Sequence, residues 1–582
     1  MKKILLFITM LFIPFMYVNA EEDIKYVATI NDVKYENFDI AVSSAKDGDV
    51  ITLLDNVNSE GMNLSKNLTI DGNSKYTITF ENKGIGLWGV TLKFKNVTVN
   101  MNGVGATPSP EWSWMTICAS TNAKLYLENT KMTLDGTGAA SNVHAIYFCS
   151  NNQLNLNNST LIIKNYIQDA LEWDGGNGGY NVNLINSTYI SDNNRSGFTG
   201  TFYATIDNSK VKVINSKGNG SNGTYYKITN NSEVTFENNG AWGISAWRID
   251  MTNNSTLNAS NNGYSGIWTR VLNVDSTCTL IANGNGKKAS SSANNAGILF
   301  YGNKDYSSII EKGAKVEIKN NAGSGIYTKQ AVSNLTILAG EITNNGTGSV
   351  NANKISADLG GGIYNVGSLV IGEDVNIYNN HAKDAGDDIY NAEGAVIDFK
   401  DVKDNWILDD CNDKINNWYD DSENNRWNAH EDDLHIEAVK SGAYETKLEL
   451  KAAHNLKAKV ISHYVDQDGN TISEDVTVEG FIEDKYKTEA KDITGYVLNK
   501  IDGSEEGTMT KEDIHVTYVY EFVHGTGDTD EPVIKPEPKP TPDIPYTGIE
   551  ETENNNNSTN IILMSSSLTL LVGLVVLRKK FN

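Results

Sequence analysis

Asp169, Glu172 and Asp174 lie within six residues of one another, beside Trp173 and the run Gly175-Gly176-Asn177-Gly178-Gly179. Two carboxyl groups flanking a sugar stacked on an aromatic ring could act as general acid and as base or nucleophile in glycoside chemistry. Carboxylates are mostly exposed residues, so the first expectation for this cluster is a solvated acidic loop, with catalysis as the alternative. Little else nearby could join it. Of eight histidines only His144 and His381 fall between residues 50 and 400, which leaves scant material for a Ser-His-Asp or metal-histidine site. No metal site and no cofactor is predicted. Asp466-Gln467-Asp468-Gly469-Asn470 reads as a hairpin turn rather than a calcium loop, because the spaced glutamate is missing. Trp173, Trp242, Trp247 and Trp268 become sugar-stacking candidates wherever they face outward.

The elements that must position these residues are short strands. The chain has 582 residues and a formal net charge of −25, which argues against nucleic acid as a partner, since phosphate binding rests on Lys and Arg. Three local phrases recur from about residue 50 to 400. The first is small–aliphatic–aromatic, as in Ala145-Ile146-Tyr147, Gly266-Ile267-Trp268, Gly325-Ile326-Tyr327, Gly362-Ile363-Tyr364 and Asp388-Ile389-Tyr390. The second alternates apolar and polar residues, as in Leu154-Asn155-Leu156, and the third follows a polar turn, as in Asn157-Asn158-Ser159-Thr160-Leu161. Period-two alternation broken by Asn, Ser and Gly means short strands and turns. One apolar face per short strand cannot be buried alone, so the coils must stack and share an interior. This predicts an all-β chain built on a parallel β-helix. Asparagine at the turns tolerates left-handed backbone and can ladder from coil to coil.

These phrases resemble the right-handed, pectate-lyase-like β-helix proteins of Gram-positive cell surfaces. Arg248-Ile249-Asp250 is similar to the Arg-Ile-Lys element of polygalacturonases, but the Lys is replaced and no Gly-His-Gly occurs. Residues 37–45 are expected to form a helix lying across the first coil of a β-helix that spans 21–400. Cys118 and Cys149 are expected on successive coils as buried thiols, and residues 401–456, acidic and Trp-rich, as a cap or connecting module. Residues 457–522 carry Tyr464-Val465-Asp466, Asp468-Gly469, Gly495-Tyr496 and Tyr518-Val519-Tyr520 in order, and resemble the small β module called MucBP.

The two ends suggest an address. Lys2 and Lys3, the apolar run from Ile4 to Val18 and the small Ala20 predict a signal peptide over residues 1–20. Residues 523–543 form a Pro-rich, extended spacer. Residues 544–582 contain Ile544-Pro545-Tyr546-Thr547-Gly548, a polar stretch, an apolar run over 561–577 and Arg578-Lys579-Lys580. This order resembles the LPxTG-type sortase signal of wall-anchored proteins, with Ile544 where the family has Leu. The resemblance implies sortase and peptidoglycan as partners, a transient transmembrane stay for 561–577, and an extracellular protein covalently attached to a Gram-positive cell wall. The expected function is a non-catalytic adhesin for host or environmental glycans and glycoproteins such as mucin. The alternative is a surface polysaccharide lyase or hydrolase acting on the β-helix flank.

Overall fold

The computed structural model describes residues 24–103, 114–173, 179–288, 295–302, 306–329, 334–346, 357–400, 418–420, 435–436, 442–452, 457–481, 485–510 and 512–523. The expected signal peptide, Asp174, the expected spacer beyond residue 523, the sortase-like motif, the apolar run over 561–577 and most of 401–441 lie outside these residues. Among the described residues no helix is long and apolar enough to cross a membrane.

The chain enters through a hairpin, Ala28–Ile30 with Val33–Tyr35, and the helix Phe38–Ser44. Asn37 caps that helix, its side chain accepting the Ile40 N–H at 3.0 Å, and Asp39 adds favourable charge in the first turn. Phe38, Ala41 and Val42 are buried in the same apolar core as the first coils. The expected cap over the open end is therefore present, one residue shorter at each end than predicted.

From Val50 to Phe399 the strands form a parallel β-helix, with three stacks that we call sheets A, B and C. Sheet A holds the small–aliphatic–aromatic phrase. Its ladder pairs Cys118 with Tyr147, Tyr147 with Glu172, Ser245 with Trp268, Trp268 with Leu299, Leu299 with Tyr327, Tyr327 with Tyr364, and Tyr364 with Tyr390. The aliphatic member of each phrase points inward and is fully buried, as at Ile146, Ile267, Ile326, Ile363 and Ile389. Side chains alternate across a strand, so the third member faces away from the interior. Sheet B contains the alternating strands such as Asn152–Asn157, and sheet C contains those after the polar turn, such as Thr160–Lys164. All three contribute to one continuous core running from Ala28 to Leu450. Within it, Phe148, Tyr180 and Phe202 stack at centroid distances of 4.7 and 5.3 Å. At the far end Gly442–Tyr444 and Leu448–Ala452 pair antiparallel with the last coil, which closes its exposed backbone edge.

Asparagine works in two registers. Asn238, Asn261, Asn320, Asn344 and Asn379 adopt φ between 52° and 58°, the left-handed turn that this residue tolerates. The residue after each turns inward, as does Asn285 after Gly284 at φ 65°. Asn239, Asn262, Asn285, Asn321, Asn345 and Asn380 are each 2% exposed or less and form a ladder, every Nδ2 donating to the next Oδ1 at 2.8–3.1 Å. Asn380 ends it by donating to Asp388 Oδ1 at 2.8 Å. The second amide hydrogen goes to a main-chain carbonyl, and each Oδ1 from Asn262 onward also accepts the N–H of the preceding ladder residue, while that of Asn239 accepts the Ser216 N–H. Every polar atom in the array is satisfied, which burial demands.

Described by itself, the last unit is a four-stranded sheet in the order Thr471–Phe481, Lys457–Asp466, Ile514–Phe522, Tyr496–Asp502. Tyr464, Tyr518 and Tyr520 are its large buried side chains. Each hydroxyl finds a partner: Tyr464 donates to Glu489 O at 3.1 Å, Tyr520 to Lys491 O at 2.8 Å, and Tyr518 to Thr488 Oγ1 at 2.8 Å. Asp466 accepts the N–H groups of Asp468 and Asn470 at 3.0 and 2.9 Å, and Gly469 has φ 84°. That is a turn built on an aspartate, as the sequence predicts.

Candidate functional site

On the outer side of sheet A, stacking brings four ionisable residues from three coils together. Glu172 takes its place in the outward column after Tyr147, and Asp169 precedes the same strand, Leu171–Trp173. His144 begins the strand one coil earlier, and Arg195 arrives from one coil later. Arg195 Nε donates to Asp169 Oδ1 at 2.9 Å, and its Nη2 contacts Asp169 Oδ2 and lies 3.6 Å from Glu172 Oε2. His144 Nδ1 is 3.8 Å from Asp169 Oδ2 and 3.9 Å from Glu172 Oε2. Trp114 meets the imidazole edge-on at 5.8 Å and Tyr147 at 4.6 Å.

The solvated-loop expectation is overturned for Asp169 and Glu172. Asp169 is fully buried, because the stack places it under the Arg195 guanidinium, and the Glu172 side chain is only 18% exposed. The two carboxyls behave oppositely. Burial works against ionisation at Asp169, yet hydrogen bonding to Arg195 and its charge hold that carboxyl below its ordinary range. Burial pushes Glu172 well above its ordinary range, and the neighbouring Asp169 carboxylate adds to the rise. His144 is lowered, chiefly by burial. The pair therefore holds a proton on Glu172 beside an ionised Asp169, an arrangement suited to proton donation. Their oxygens and His144 lie within 4.8 Å of one another, tighter than the roughly 5–5.5 Å between the carboxyls of retaining glycosidases. His144 Nδ1 and Glu172 Oε2 are enclosed and have no hydrogen-bond partner.

His144 and Arg195 were invisible as site residues in the sequence. Their separations from Asp169, 25 and 26 residues, correspond to single coils of unequal length, so no fixed spacing announces them. Cys118 and Cys149 are buried, and the register sets Cys118 against Tyr147, with Cys149 two positions farther along. The two thiols are buried on successive coils, as expected, but two positions out of register. With Met115 and Tyr147 they form a small apolar cluster on which Trp88 and Trp114 pack.

Of the four sugar-stacking candidates, three share an outer surface. Trp242 and Trp268 approach to 4.4 Å, Trp268 meets Tyr301 at 4.8 Å, and Arg270 lies 5.1 Å over Tyr301 and 5.8 Å over Trp247. Trp247 is 43% exposed. Trp173 differs. It is paired with the buried Phe148, one position beyond the outward Glu172, so alternation turns it toward the core against which it packs. Farther along sheet A, Tyr327, Tyr364 and Tyr390 stack nearly parallel at 4.5 and 5.4 Å. A shallow depression of about 300 Å³ on sheet B is lined by Tyr225, Asp250, Asn273 and Glu311, away from the His144 cluster. Its Asp250 already accepts from Arg248, Tyr225 and Asn273 at 2.7–2.9 Å, which leaves it a structural role.

The small C-terminal sheet carries the relationship to known proteins. Residues 459–521 match the MucBP domain. A stretch of 64 residues is 42% identical to internalin J of Listeria monocytogenes serovar 1/2a and 38% identical to that of serotype 4b. These matches cover 11% of this chain and 8% and 7% of the two internalins, so the chain spans less than a tenth of the curated relatives it matches. The MucBP match lies outside the coils of the β-helix.

Proposed function

We propose that this protein is a non-catalytic bacterial surface adhesin that binds host or environmental glycans or glycoproteins, mucin among them. The observation that carries this reading is the MucBP match over residues 459–521. The outward aromatic surface of Trp242, Trp247 and Trp268 supports it, since sugars stack on such rings. Export by residues 1–20 and anchoring at Ile544-Pro545-Tyr546-Thr547-Gly548 belong to the same reading. A sortase thiolate would attack the Thr547 carbonyl and release the Gly548 amine. A peptidoglycan amine would then take over the acyl group. The protein would be extracellular, with residues 561–577 in the membrane only until cleavage. Immobilised mucin should retain the full chain, and deleting residues 457–522 should abolish retention; undiminished retention would refute the assignment to this module. Mass spectrometry of wall digests should find Thr547 joined to a peptidoglycan peptide.

A second reading, a surface polysaccharide lyase or hydrolase on the sheet A flank, is favoured by the buried proton-bearing Glu172 beside Asp169. Oligosaccharides released from polysaccharide by the wild type but not by Glu172→Gln would establish it.

A further inference from the structure

We propose that His144, Asp169 and Glu172 form a binding site for a divalent transition-metal ion, held by the imidazole Nδ1 and one oxygen from each carboxyl group. Three observations converge. The three ligand atoms lie within 4.8 Å of one another. Two of them, His144 Nδ1 and Glu172 Oε2, are enclosed by protein and have no hydrogen-bond partner, although buried polar atoms are nearly always satisfied. The groups come from two adjacent coils of one stack, which fixes their relative positions through the ladder pairing of Tyr147 with Glu172.

The donor set selects the kind of ion. One nitrogen and two carboxylate oxygens suit Zn²⁺, Mn²⁺ or Fe²⁺, whereas Ca²⁺ and Mg²⁺ prefer oxygen alone. Two ligands about 2.1 Å from a tetrahedral ion stand about 3.4 Å apart. His144 Nδ1 is 3.8 and 3.9 Å from the two carboxyl oxygens, so a contraction of roughly half an ångström brings the imidazole to the spacing of shared ligands. The Arg195 side chain is 47% exposed and can swing into solvent as the ion enters. Three protein ligands leave a coordination position for water or for an oxygen of a bound sugar.

Isothermal titration of the full chain with MnCl2 and ZnCl2, in excess Mg²⁺ to occupy weak surface carboxylates, tests the site. One saturable ion per chain is expected, with affinity lowered at least about tenfold by His144→Ala or Glu172→Gln, as the loss of even an outer-shell partner does. Arg195→Gln should bind at least as tightly as the wild type. Electron spin echo spectra of Mn²⁺ bound to the wild type should carry a nitrogen coupling from the imidazole, a readout that needs no variant to fold. No saturable binding, binding unchanged in His144→Ala, weaker binding in Arg195→Gln, or a spectrum without nitrogen coupling would each overturn the assignment.

Discussion

Two of the polar arrays that the β-helix buries are built on opposite terms. Between Asn239 and Asp388 every amide donor and acceptor has a partner within the stack. Around Asp169 the accounts stay open: His144 Nδ1 and Glu172 Oε2 face one another across 3.9 Å without a bond. A fully connected polar network rigidifies and fixes register, whereas a partly connected one costs stability that burial does not return. The ladder is therefore architecture, and the cluster is where the fold tolerates a cost that function would explain.

The contrast is broken most severely at the ladder. Asn321→Leu removes the acceptor for Asn285 and the donor to Asn345, and it strands the Ala282 carbonyl. Orphaning several buried groups should lower the opening free energy of coils 285–345 by about 3–5 kcal/mol, read by native-state hydrogen exchange. Coils near residue 150 should keep their protection, because stability in a stacked array is largely a nearest-neighbour property. Equal loss at both ends would mean that the array unfolds as one unit.

A smaller effect of opposite sign is expected at the cluster. Glu172 has a folded-state carboxyl raised above its unfolded value, so its contribution to stability is full below the unfolded value and is lost as pH rises through the folded one. Glu172→Gln carries no such loss. In the presence of a chelator, the variant should match the wild type at acid pH and exceed it by roughly 1–2 kcal/mol in alkaline solution, measured by urea denaturation across pH. A variant less stable at every pH would show that the cluster, like the ladder, is structural.

The smallest effect lies at the surface turns. Asn186 has φ 50° and accepts from Asn208 Nδ2 at 2.7 Å. Asn186→Ala should cost about 1 kcal/mol through the strained left-handed backbone, while Asn186→Gly should cost only a few tenths. Equal costs would assign the effect to the lost side-chain bond instead.

Much of this was legible beforehand, and for a physical reason. The small–aliphatic–aromatic phrase became sheet A because alternation alone sends Ile267 inward and Trp268 outward. The cap helix was legible because Asn37 and the apolar face of Phe38, Ala41 and Val42 are local signals. The repeated Asn-Asn pair at 238–239, 261–262, 320–321, 344–345 and 379–380 could have revealed the ladder, since one member takes the turn and the next turns inward. The cluster was not legible. Coil lengths along the ladder vary from 23 to 36 residues, so the neighbours of Asp169 on adjacent coils could not be found by counting. For the same reason Trp173 could not be assigned to a face without the register.

The unequal coils also have a mechanical reading. Hydrogen bonds between coils run along the stacking direction, so tension applied between the ends of the β-helix would open them pair by pair rather than shear whole sheets. Each ruptured rung would free 23 to 36 residues, or roughly 8–13 nm of extended chain. A molecule built this way would yield to drag in a series of small steps, dissipating work at each one.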